Sequence, residues 1–218
     1  MRERGSVWVA IAIEAGRPAG HAARALAEVV LVVVALLLPN VAGAQDAITG
    51  QLLVAEPDLV DPNFSRTVVL IVSHDAGGAL GVVVNRPYGR LSAGEVLEQL
   101  GRTPLAPGPE VDVCYGGPVR AGGVMVLHSR DYRSERSQEV TADIAVTAAP
   151  EVMDALIRGD GPEQVLVALG YAGWGRGQLE RELGRGSWSV VDVDPALVFA
   201  EDPSTVWQRA LRRRGVEL

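Results

Sequence analysis

The fold is decided by residues 170–183, GYAGWGRGQLEREL, which follow the apolar run at residues 165–169. A short apolar run that ends at glycine predicts a buried strand. Glycine then recurs four times in eight residues around Tyr171 and Trp174, and this density predicts a turn in which other groups approach the backbone closely. From Gln178 onward, leucines four residues apart and two early glutamates predict a short helix. The stretch therefore predicts a strand, an elaborate turn and a helix, which form either a packing corner or the wall of a site.

The composition is that of a globular protein, with 218 residues, 48% hydrophobic and 22% charged. This length predicts one domain preceded by an N-terminal extension. All 20 basic residues are arginine, and the formal net charge is −7. Because proteins that bind nucleic acids in general rely on basic surfaces, the composition carries no strong signal for a nucleic-acid partner. Cys114 is the only cysteine, which excludes a disulfide and a cysteine-based zinc site within one chain.

Residues 1–44 differ in composition from the rest of the chain. Four arginines precede the apolar run at residues 29–38, and Ala42-Gly43-Ala44 follows it. A positive segment, an apolar segment and small residues are the parts of a secretory signal peptide. The apolar run is shorter than the roughly 20 residues that a membrane span needs. The sequence therefore predicts export to the periplasm, cleavage after Ala44 and no membrane span in the mature chain. The alternative is a non-native extension, from a mis-assigned start codon, on a cytoplasmic protein.

Residues 45–218 are predicted to form one α+β domain, a mostly antiparallel sheet with several peripheral helices. Two β-branched runs, at residues 66–74 and 79–85, flank a glycine turn and predict a hairpin. The strand-like runs at residues 111–115 and 123–129 are expected to pair with each other. Ser92 with Glu95 predicts a capping box at a helix start, and Asp202 before Pro203 predicts a last helix that runs to about Arg214. Hairpins with separate helices, rather than strict βαβ alternation, favour the α+β class.

Five stretches of the chain form a distinctive set: Leu53-Val54-Ala55, DPNFSRTV at 61–68, GALGVVVNRP at 78–87, YGGPV at 115–119 and GYAGWGRGQLE at 170–180. Together they resemble the YqgE/AlgH family of bacterial proteins. The resemblance covers essentially all of residues 46–218, and it implies a compact fold of coiled, bifurcated sheets with helices around them. The family is labelled as candidate transcriptional regulators, and the resemblance implies no mechanism. Typical members lack the N-terminal extension, so export would separate this chain from transcription.

The glycine pattern invites comparison with a dinucleotide-binding fingerprint. Gly173, Gly175 and Gly177 follow a predicted strand and precede a helix, and Asp192 and Asp194 come later in the chain. The spacing is G-x-G-x-G rather than G-x-G-x-x-G, and the helix is too short for a parallel crossover. No nucleotide or other cofactor is therefore predicted. Anion capture by backbone N–H groups at the helix start stays open, although a packing corner is favoured.

The sequence predicts neither a catalytic residue nor a metal site. Cys114 could in principle act with His74 or His128 as a nucleophile and base, but its place in an apolar strand favours a core thiol. The histidines show no metal-ligand spacing. Glu180 and Glu182 project to different sides of the predicted helix, which argues against a catalytic carboxylate pair.

The main functional hypothesis is a binding groove built from strand ends and turns. Residues at such places tend to converge on a cleft. The candidate groove residues are Arg66, Asn85, Arg86, Gly116, Gly117, Tyr171, Trp174 and Gln178. In the alternative interpretation, the glycines and Trp174 serve packing, and the arginines pair with Asp61 or Glu180. The groove hypothesis predicts a non-enzymatic binding or regulatory protein with a protein, peptide or small-molecule partner. The alternative is an enzyme that acts on a small anionic ligand near the glycine-rich turn.

Overall fold

The computed structural model describes residues 48–214, without the side chains of residues 120–123. The signal peptide or extension predicted at residues 1–44 lies outside the described residues. The strands are β1 (Leu52–Ala55), β2 (Val68–Asp75), β3 (Gly78–Val83), β4 (Pro87–Ser92), β5 (Glu110–Tyr115), β6 (Val119–Ser129), β7 (Gln138–Glu139), β8 (Ile144–Ala148), β9 (Val165–Gly175) and β10 (Trp188–Val191). The helices are α1 (Ala93–Gln99), α2 (Ala149–Arg158), α3 (Gln178–Gly184), α4 (Pro195–Val198), a 3₁₀ helix (Pro203–Thr205) and α5 (Val206–Leu211).

Local signals in the sequence account for several of these elements. The predicted hairpin is confirmed, because β2 and β3 pair antiparallel with Leu70 opposite Val82. The predicted capping box is also confirmed. The Ser92 side chain accepts the Glu95 N–H, and the Glu95 carboxylate accepts the Ser92 N–H. These two N–H groups at the start of α1 therefore both have acceptors.

The strands form one curled sheet that branches at its centre. Its main order is β10-β1-β2-β3-β9-β6-β8-β7, and β5 and β4 form a branch from β9. The first half of β9 pairs parallel with β5, with Leu166 opposite Asp112. The second half pairs antiparallel with β3, with Ala172 opposite Gly81. The antiparallel strand β6 lies along the other edge of β9. This architecture confirms the predicted α+β class with a mostly antiparallel sheet.

The branch point is a close crossing of two glycine-containing backbones. At Gly170, where β9 changes partners, φ is +74°. A Cβ atom on Gly116 would lie 2.3 Å from the Gly170 carbonyl oxygen, and one on Gly117 would lie 2.2 Å from the Tyr171 carbonyl carbon. The Gly116 N–H also donates to Leu169 O at 2.9 Å. Side chains at either position would therefore push the strands apart.

Strand β9 corrects the interpretation of the glycine-rich stretch. The elaborate turn predicted to begin at Gly170 is wrong, because β9 continues to Gly175 and the turn comprises only Arg176 and Gly177. The physical reason lies in strand contacts. A Cβ atom on Gly78 of the neighbouring strand would lie 2.1 Å from Trp174 O, so the two backbones approach closely here. In this part of the sheet, glycine permits close contact rather than a chain reversal.

Two further expectations about the sheet and the last helix are corrected. The predicted pairing of residues 111–115 with 123–129 is wrong, because β9 lies between β5 and β6 and pairs with both. The last helix is shorter than predicted. Asp202 does cap the chain at Pro203, but a 3₁₀ turn comes first and α5 ends at Leu211. Strand β4 was not predicted, since its sequence PYGRLS lacks apolar alternation and only its pairing with β5 defines it.

Three hydrophobic clusters share the faces of the curled sheet. The central cluster contains Leu70 and Leu127 from the sheet and Val206 from α5. A second cluster packs α1 and α2 against β5, β6 and β9, and a third packs α3 against β1, β2 and the end of β9. Within residues 48–214, none of the helices has the length and apolarity that crossing a membrane requires.

A variant at the crossing tests this account. Gly116 is not among the residues with positive φ, so Gly116→Ala adds only a steric conflict with the Gly170 carbonyl. We expect the free energy of unfolding to fall by about 1–3 kcal/mol, measured by denaturant unfolding of the full chain. Gly184→Ala is the control, because an added Cβ there meets nothing within 4 Å. Equal stability of the two variants would contradict the crossing as the constraint on the sheet.

Candidate functional site

Residues 61–66 lead from β1 into β2 and carry side chains to two different environments. Asp61 organises this loop, because its side chain accepts the Asn63 N–H at 2.7 Å and its carbonyl accepts the Phe64 N–H at 3.0 Å. The loop ends at Arg66, which has φ +56° and is the only non-glycine residue with positive φ in the described part of the chain. This left-handed conformation costs about 1–2 kcal/mol for a residue with a Cβ atom.

Asn85 holds the backbone on both sides of Arg66. Its amide group donates to Arg66 O at 3.0 Å, and its carbonyl oxygen accepts the Val68 N–H at 2.8 Å. At the start of β2, the Asn85 side chain thus makes the two backbone hydrogen bonds that a neighbouring strand would otherwise make. These two hydrogen bonds stabilise the strained conformation at Arg66.

Arg66, Asn85 and Arg86 lie together in a cleft of about 340 Å³, which we call the arginine cleft. Its other lining residues come from the 3₁₀ helix and α5: Pro203, Ser204, Trp207 and Gln208. The Arg66 guanidinium lies 5.6 Å from the Trp207 ring centre, in a cation–π arrangement. Arg86 donates to two carbonyls of the loop, Pro62 O at 3.0 Å and Ser65 O at 3.2 Å.

Neither arginine of this cleft forms an ion pair with a carboxylate of the described residues. Pairing with Asp61 or Glu180 was the alternative expected from the sequence, and the described geometry shows neither pair. Glu180 instead lies 2.9 Å from His74 Nε2. The arginine cleft therefore presents two guanidinium groups whose charge is not neutralised within residues 48–214.

Trp174 lies outside this cleft, in an aromatic cluster beneath α3. It is 6% exposed, and its ring centre is 6.1 Å from those of Phe64 and Trp188. The Phe64 and Trp188 rings are 5.5 Å apart in an edge-to-face arrangement. Trp174 therefore has the packing role that the sequence left open, and Phe64 connects this cluster to the loop that carries Arg66.

The carboxylate of Glu182 on α3 joins the two tryptophans. Its Oε2 accepts the indole N–H groups of Trp174 and Trp188, each at 2.9 Å, and its Oε1 accepts the Gln178 amide at 3.0 Å. Burial alone would raise the pKa of Glu182, but the hydrogen bonds from these three side chains outweigh burial, so the pKa lies below its ordinary value. Gln178 also accepts the Gly175 N–H at 3.2 Å. This N–H group is therefore not free to donate to an anion at the start of α3.

The remaining candidate groove residues lie at the glycine crossing. Gly116 and Gly117 are buried, and their lack of side chains permits the contact with Gly170. Tyr171 is partly buried against the central hydrophobic cluster. The structure thus places three of the eight candidates, Arg66, Asn85 and Arg86, in one cleft. Of the other five, four pack at the glycine crossing or in the aromatic cluster, and Gln178 is exposed at the start of α3.

Sequence reasoning missed the α5 side of the arginine cleft. Pro203 and Trp207 are four residues apart, as are Ser204 and Gln208, so each pair lies on one face of the terminal helical segment. An aromatic and polar face on the predicted last helix was therefore a signal that could have indicated this side of the cleft. The sequence did not indicate that this face meets Arg66, which is distant in the chain.

A second and larger cleft adjoins the arginine cleft. Its volume is about 620 Å³, and we call it the Cys114 cleft. It is bounded by β4, β5, the start of β9 and the segment after α4, with Val84, Cys114, Leu166, Val198, Phe199 and Ala200 among its apolar lining residues. Cys114 is 1% exposed, and its thiol donates to Val83 O at 3.4 Å. Burial raises the pKa of Cys114 to about 12, so the thiol is protonated at neutral pH.

His128 forms a buried polar network away from both clefts. Its Nδ1 lies 2.8 Å from Ser129 O, and its Nε2 lies 2.8 Å from the Thr147 hydroxyl, which in turn contacts the Ser137 hydroxyl at 2.7 Å. Burial lowers the pKa of His128, and the Ser129 carbonyl and the charge of Asp131 oppose this only in part. The imidazole is therefore neutral in the folded protein near pH 7. No group of three or more potential ligands among His, Cys, Asp and Glu could hold a metal ion within the described residues.

The branched, curled sheet defines an α+β protein rather than a nucleotide-binding α/β protein, because the glycines of β9 form strand contacts and no phosphate loop. The chain belongs to the AlgH-like family, whose family model matches residues 52–218. The biochemical function of this family is uncharacterised.

Relatives with known sequence or structure cover most of the chain. A UPF0301 protein of Cereibacter sphaeroides is 43% identical over 172 residues, which are 78% of this chain and 93% of the relative. The solution structure of the AlgH protein from Pseudomonas aeruginosa is 37% identical and covers 81% of this chain and 94% of its own, with a TM-score of 0.66. A crystal structure from Corynebacterium diphtheriae is 22% identical with a TM-score of 0.64, covers 81% of this chain and 92% of its own, and shows the shared fold alone.

The Glu182 carboxylate offers a direct test of the aromatic cluster. Glu182→Leu removes the acceptor of two indole N–H groups and leaves both donors without a partner in the cluster. We expect a loss of about 1–3 kcal/mol in the free energy of unfolding and a change in tryptophan fluorescence. Glu98→Leu, an exposed glutamate on α1, is the control and should change stability by less than about 0.5 kcal/mol. The structural role of Glu182 would be refuted by a variant as stable as this control.

The buried imidazole of His128 predicts a dependence of stability on pH. The folded-state pKa lies below the ordinary value of 6.5, so the unfolded chain binds more protons just below pH 6.5. Stability contributed by this group is therefore fully present above pH 6.5 and is lost as the pH falls toward the folded-state pKa. In denaturant unfolding at pH 5–8, His128→Gln should show a shallower loss of stability below pH 6.5 than the original chain. Parallel pH profiles for the two proteins would contradict this assignment.

Proposed function

We propose that this chain is a non-enzymatic binding protein whose arginine cleft takes an anionic group, either a carboxylate or an oxyanion. One observation carries the proposal: Arg66 and Arg86 line one cleft without a carboxylate partner among the described residues. Guanidinium groups form strong, charge-assisted hydrogen bonds with such anions. The Gln208 amide at the same cleft can add a neutral hydrogen bond, whereas the Ser204 hydroxyl already donates to Asp202 Oδ1 at 2.6 Å.

The backbone at Arg66 supports the same conclusion. Glycine would adopt φ +56° without the steric cost that arginine incurs. The Arg66 side chain makes one described contact, over the Trp207 ring, which is worth about 0.5–1 kcal/mol at an exposed site. This gain does not exceed the conformational cost. A strained residue of this kind is typical of sites where the side chain serves binding.

The alternative function is an enzyme that acts on a small anionic ligand at this surface. Such an enzyme would need a nucleophile, acid or base with a suitably displaced pKa near the anion. Among the described residues with clearly displaced pKa values, Cys114, His128 and Glu182 have structural partners away from Arg66 and Arg86. Beside the cleft, hydrogen bonds from Ser204 lower the pKa of Asp202, whose carboxylate caps the 3₁₀ helix. Since the Cys114 thiol is protonated and buried, the geometry favours binding over catalysis.

The cellular location of the protein remains a proposal that rests on the sequence. The charge and apolar pattern of residues 1–44 favours export and cleavage after Ala44. A regulatory role is compatible with a binding cleft of this kind, whereas a role in transcription would require the cytoplasmic alternative. Anion binding by the arginine cleft does not depend on which of the two compartments holds the protein.

Sulfate and acetate are suitable probes for the arginine cleft. Trp207 lies in the cleft, and its indole N–H donates to Ala55 O at 2.8 Å, so its resonance in a ¹H–¹⁵N correlation spectrum reports on the site. We expect each anion to shift this resonance of the full chain with millimolar affinity. Arg66→Gln should weaken binding about tenfold or more, because it removes charge-assisted hydrogen bonds.

Two further variants separate binding from folding. Arg133→Gln removes the same charge from an exposed loop residue and should bind both anions like the original chain. Arg66→Gly should keep the free energy of unfolding within about 1 kcal/mol, since relief of left-handed strain offsets the lost cation–π contact, and yet it should lose anion binding. Unchanged affinity in both Arg66 variants would refute the proposed function.

A further inference from the structure

The two clefts are immediate neighbours. Pro203 lines both of them, and the segment after β3 alternates between them: Val84 and Pro87 face the Cys114 cleft, while Asn85 and Arg86 face the arginine cleft. A single ligand can therefore extend from one cleft into the other.

The clefts carry opposite charge. The arginine cleft has Arg66 and Arg86 and no acidic lining residue. At the Cys114 cleft, Arg90 is neutralised by Glu110 and Asp112, at 3.2 Å from each. Glu163 and Glu201 also line this cleft, and neither forms an ion pair within residues 48–214. A ligand that matches both clefts is therefore anionic at one end and cationic toward the other.

Apolar residues also line the Cys114 cleft. Leu166, Val198 and Phe199 line the Cys114 cleft together with Ala200. Cys114 is 1% exposed, so its thiol adds almost nothing to the accessible lining. Apolar cleft walls with a few charged groups at the edges are typical of ligand sites that bury an apolar group and orient it by its ends.

We propose that the two clefts together bind the carboxyl terminus of a peptide. This inference rests on the anion binding proposed above and specifies the class of ligand. The terminal carboxylate lies between Arg66 and Arg86. An apolar side chain near the terminus fills the Cys114 cleft, and a basic residue upstream lies beside Glu201 and Glu163. A short peptide carries all three of these groups. A fatty acid has the carboxylate and the apolar chain but offers nothing to the acidic rim.

Titration calorimetry with short peptides tests this assignment on the full chain. The probe is an N-acetylated tetrapeptide that begins with arginine, continues with two alanines and ends with leucine as the free acid. We expect the C-terminal amide of this peptide to bind about tenfold more weakly, because the carboxylate is lost. Replacing the arginine of the peptide by glutamate should weaken binding about threefold or more.

Variants of the protein test the role of each cleft in peptide binding. Ala200→Phe fills the Cys114 cleft and should weaken the tetrapeptide at least tenfold while sulfate still binds the arginine cleft. Glu201→Gln should reduce the preference for the arginine peptide over the glutamate peptide. The matched controls are Ala142→Phe and Glu135→Gln, both at exposed loop positions, and they should change neither quantity. Thermal unfolding of each variant checks that the fold is retained.

The outcomes separate this inference from the proposed function. If sulfate binds through Arg66 and the free-acid and amide peptides bind equally or not at all, the peptide assignment is wrong and anion binding stands. The assignment is also wrong if Ala200→Phe leaves tetrapeptide affinity unchanged, or if dodecanoate binds more tightly than the tetrapeptide. If neither sulfate nor the tetrapeptide binds, the proposed function fails as well.

Discussion

The structure depends on one steric constraint, the contact between the backbones at Gly116–Gly117 and Gly170–Tyr171. Because the two chains touch without intervening side chains, β9 can leave β5 and join β3 within a few residues while it keeps β6 as its other neighbour. A hydrogen bond from Val83 N to Gly116 O at 2.8 Å fixes the end of β3 at the same place. The branch therefore arises from backbone contact, and side-chain packing on both faces follows from it.

The position of both clefts follows from this branch. Strand β3 ends at the crossing, and residues 84–86 connect it to β4. In this connection the Val84 N–H donates to Val68 O of β2 at 3.0 Å, and Arg86 O accepts the Tyr115 N–H of β5 at 2.8 Å. Asn85 can then reach back to the start of β2, where it holds Arg66, and Arg86 can bind the carbonyls of the loop. The helical segment from Pro203 covers the same opening. The candidate site is thus built at the end of a strand whose place is determined by glycine.

Local patterns predicted the parts of the fold that local interactions determine. The β2–β3 hairpin and the Ser92–Glu95 capping box could be predicted because their residues are close in sequence. The parallel pairing of β5 with β9 could not, since Asp112 and Leu166 are distant in the chain and no local signal marks them as neighbours. For the same reason, sequence alone did not distinguish Trp174, which packs in a cluster, from Trp207, which lines a cleft. Three of the eight candidate groove residues lie together, and their partners came from a terminal helix that the motifs did not include.

Arg66 is an exception among the residues with positive φ. Every other residue with a positive φ in the described part of the chain is glycine, including Gly50 and Gly170, so the fold elsewhere avoids the cost of a Cβ atom in this conformation. At Arg66 the chain accepts this cost and uses Asn85 to offset it. The arginine forms no ion pair with a described residue that would explain its presence. Conflict between local preference and the observed residue is concentrated at functional sites, so the backbone at Arg66 supports the proposed binding role of the arginine cleft independently of its charge.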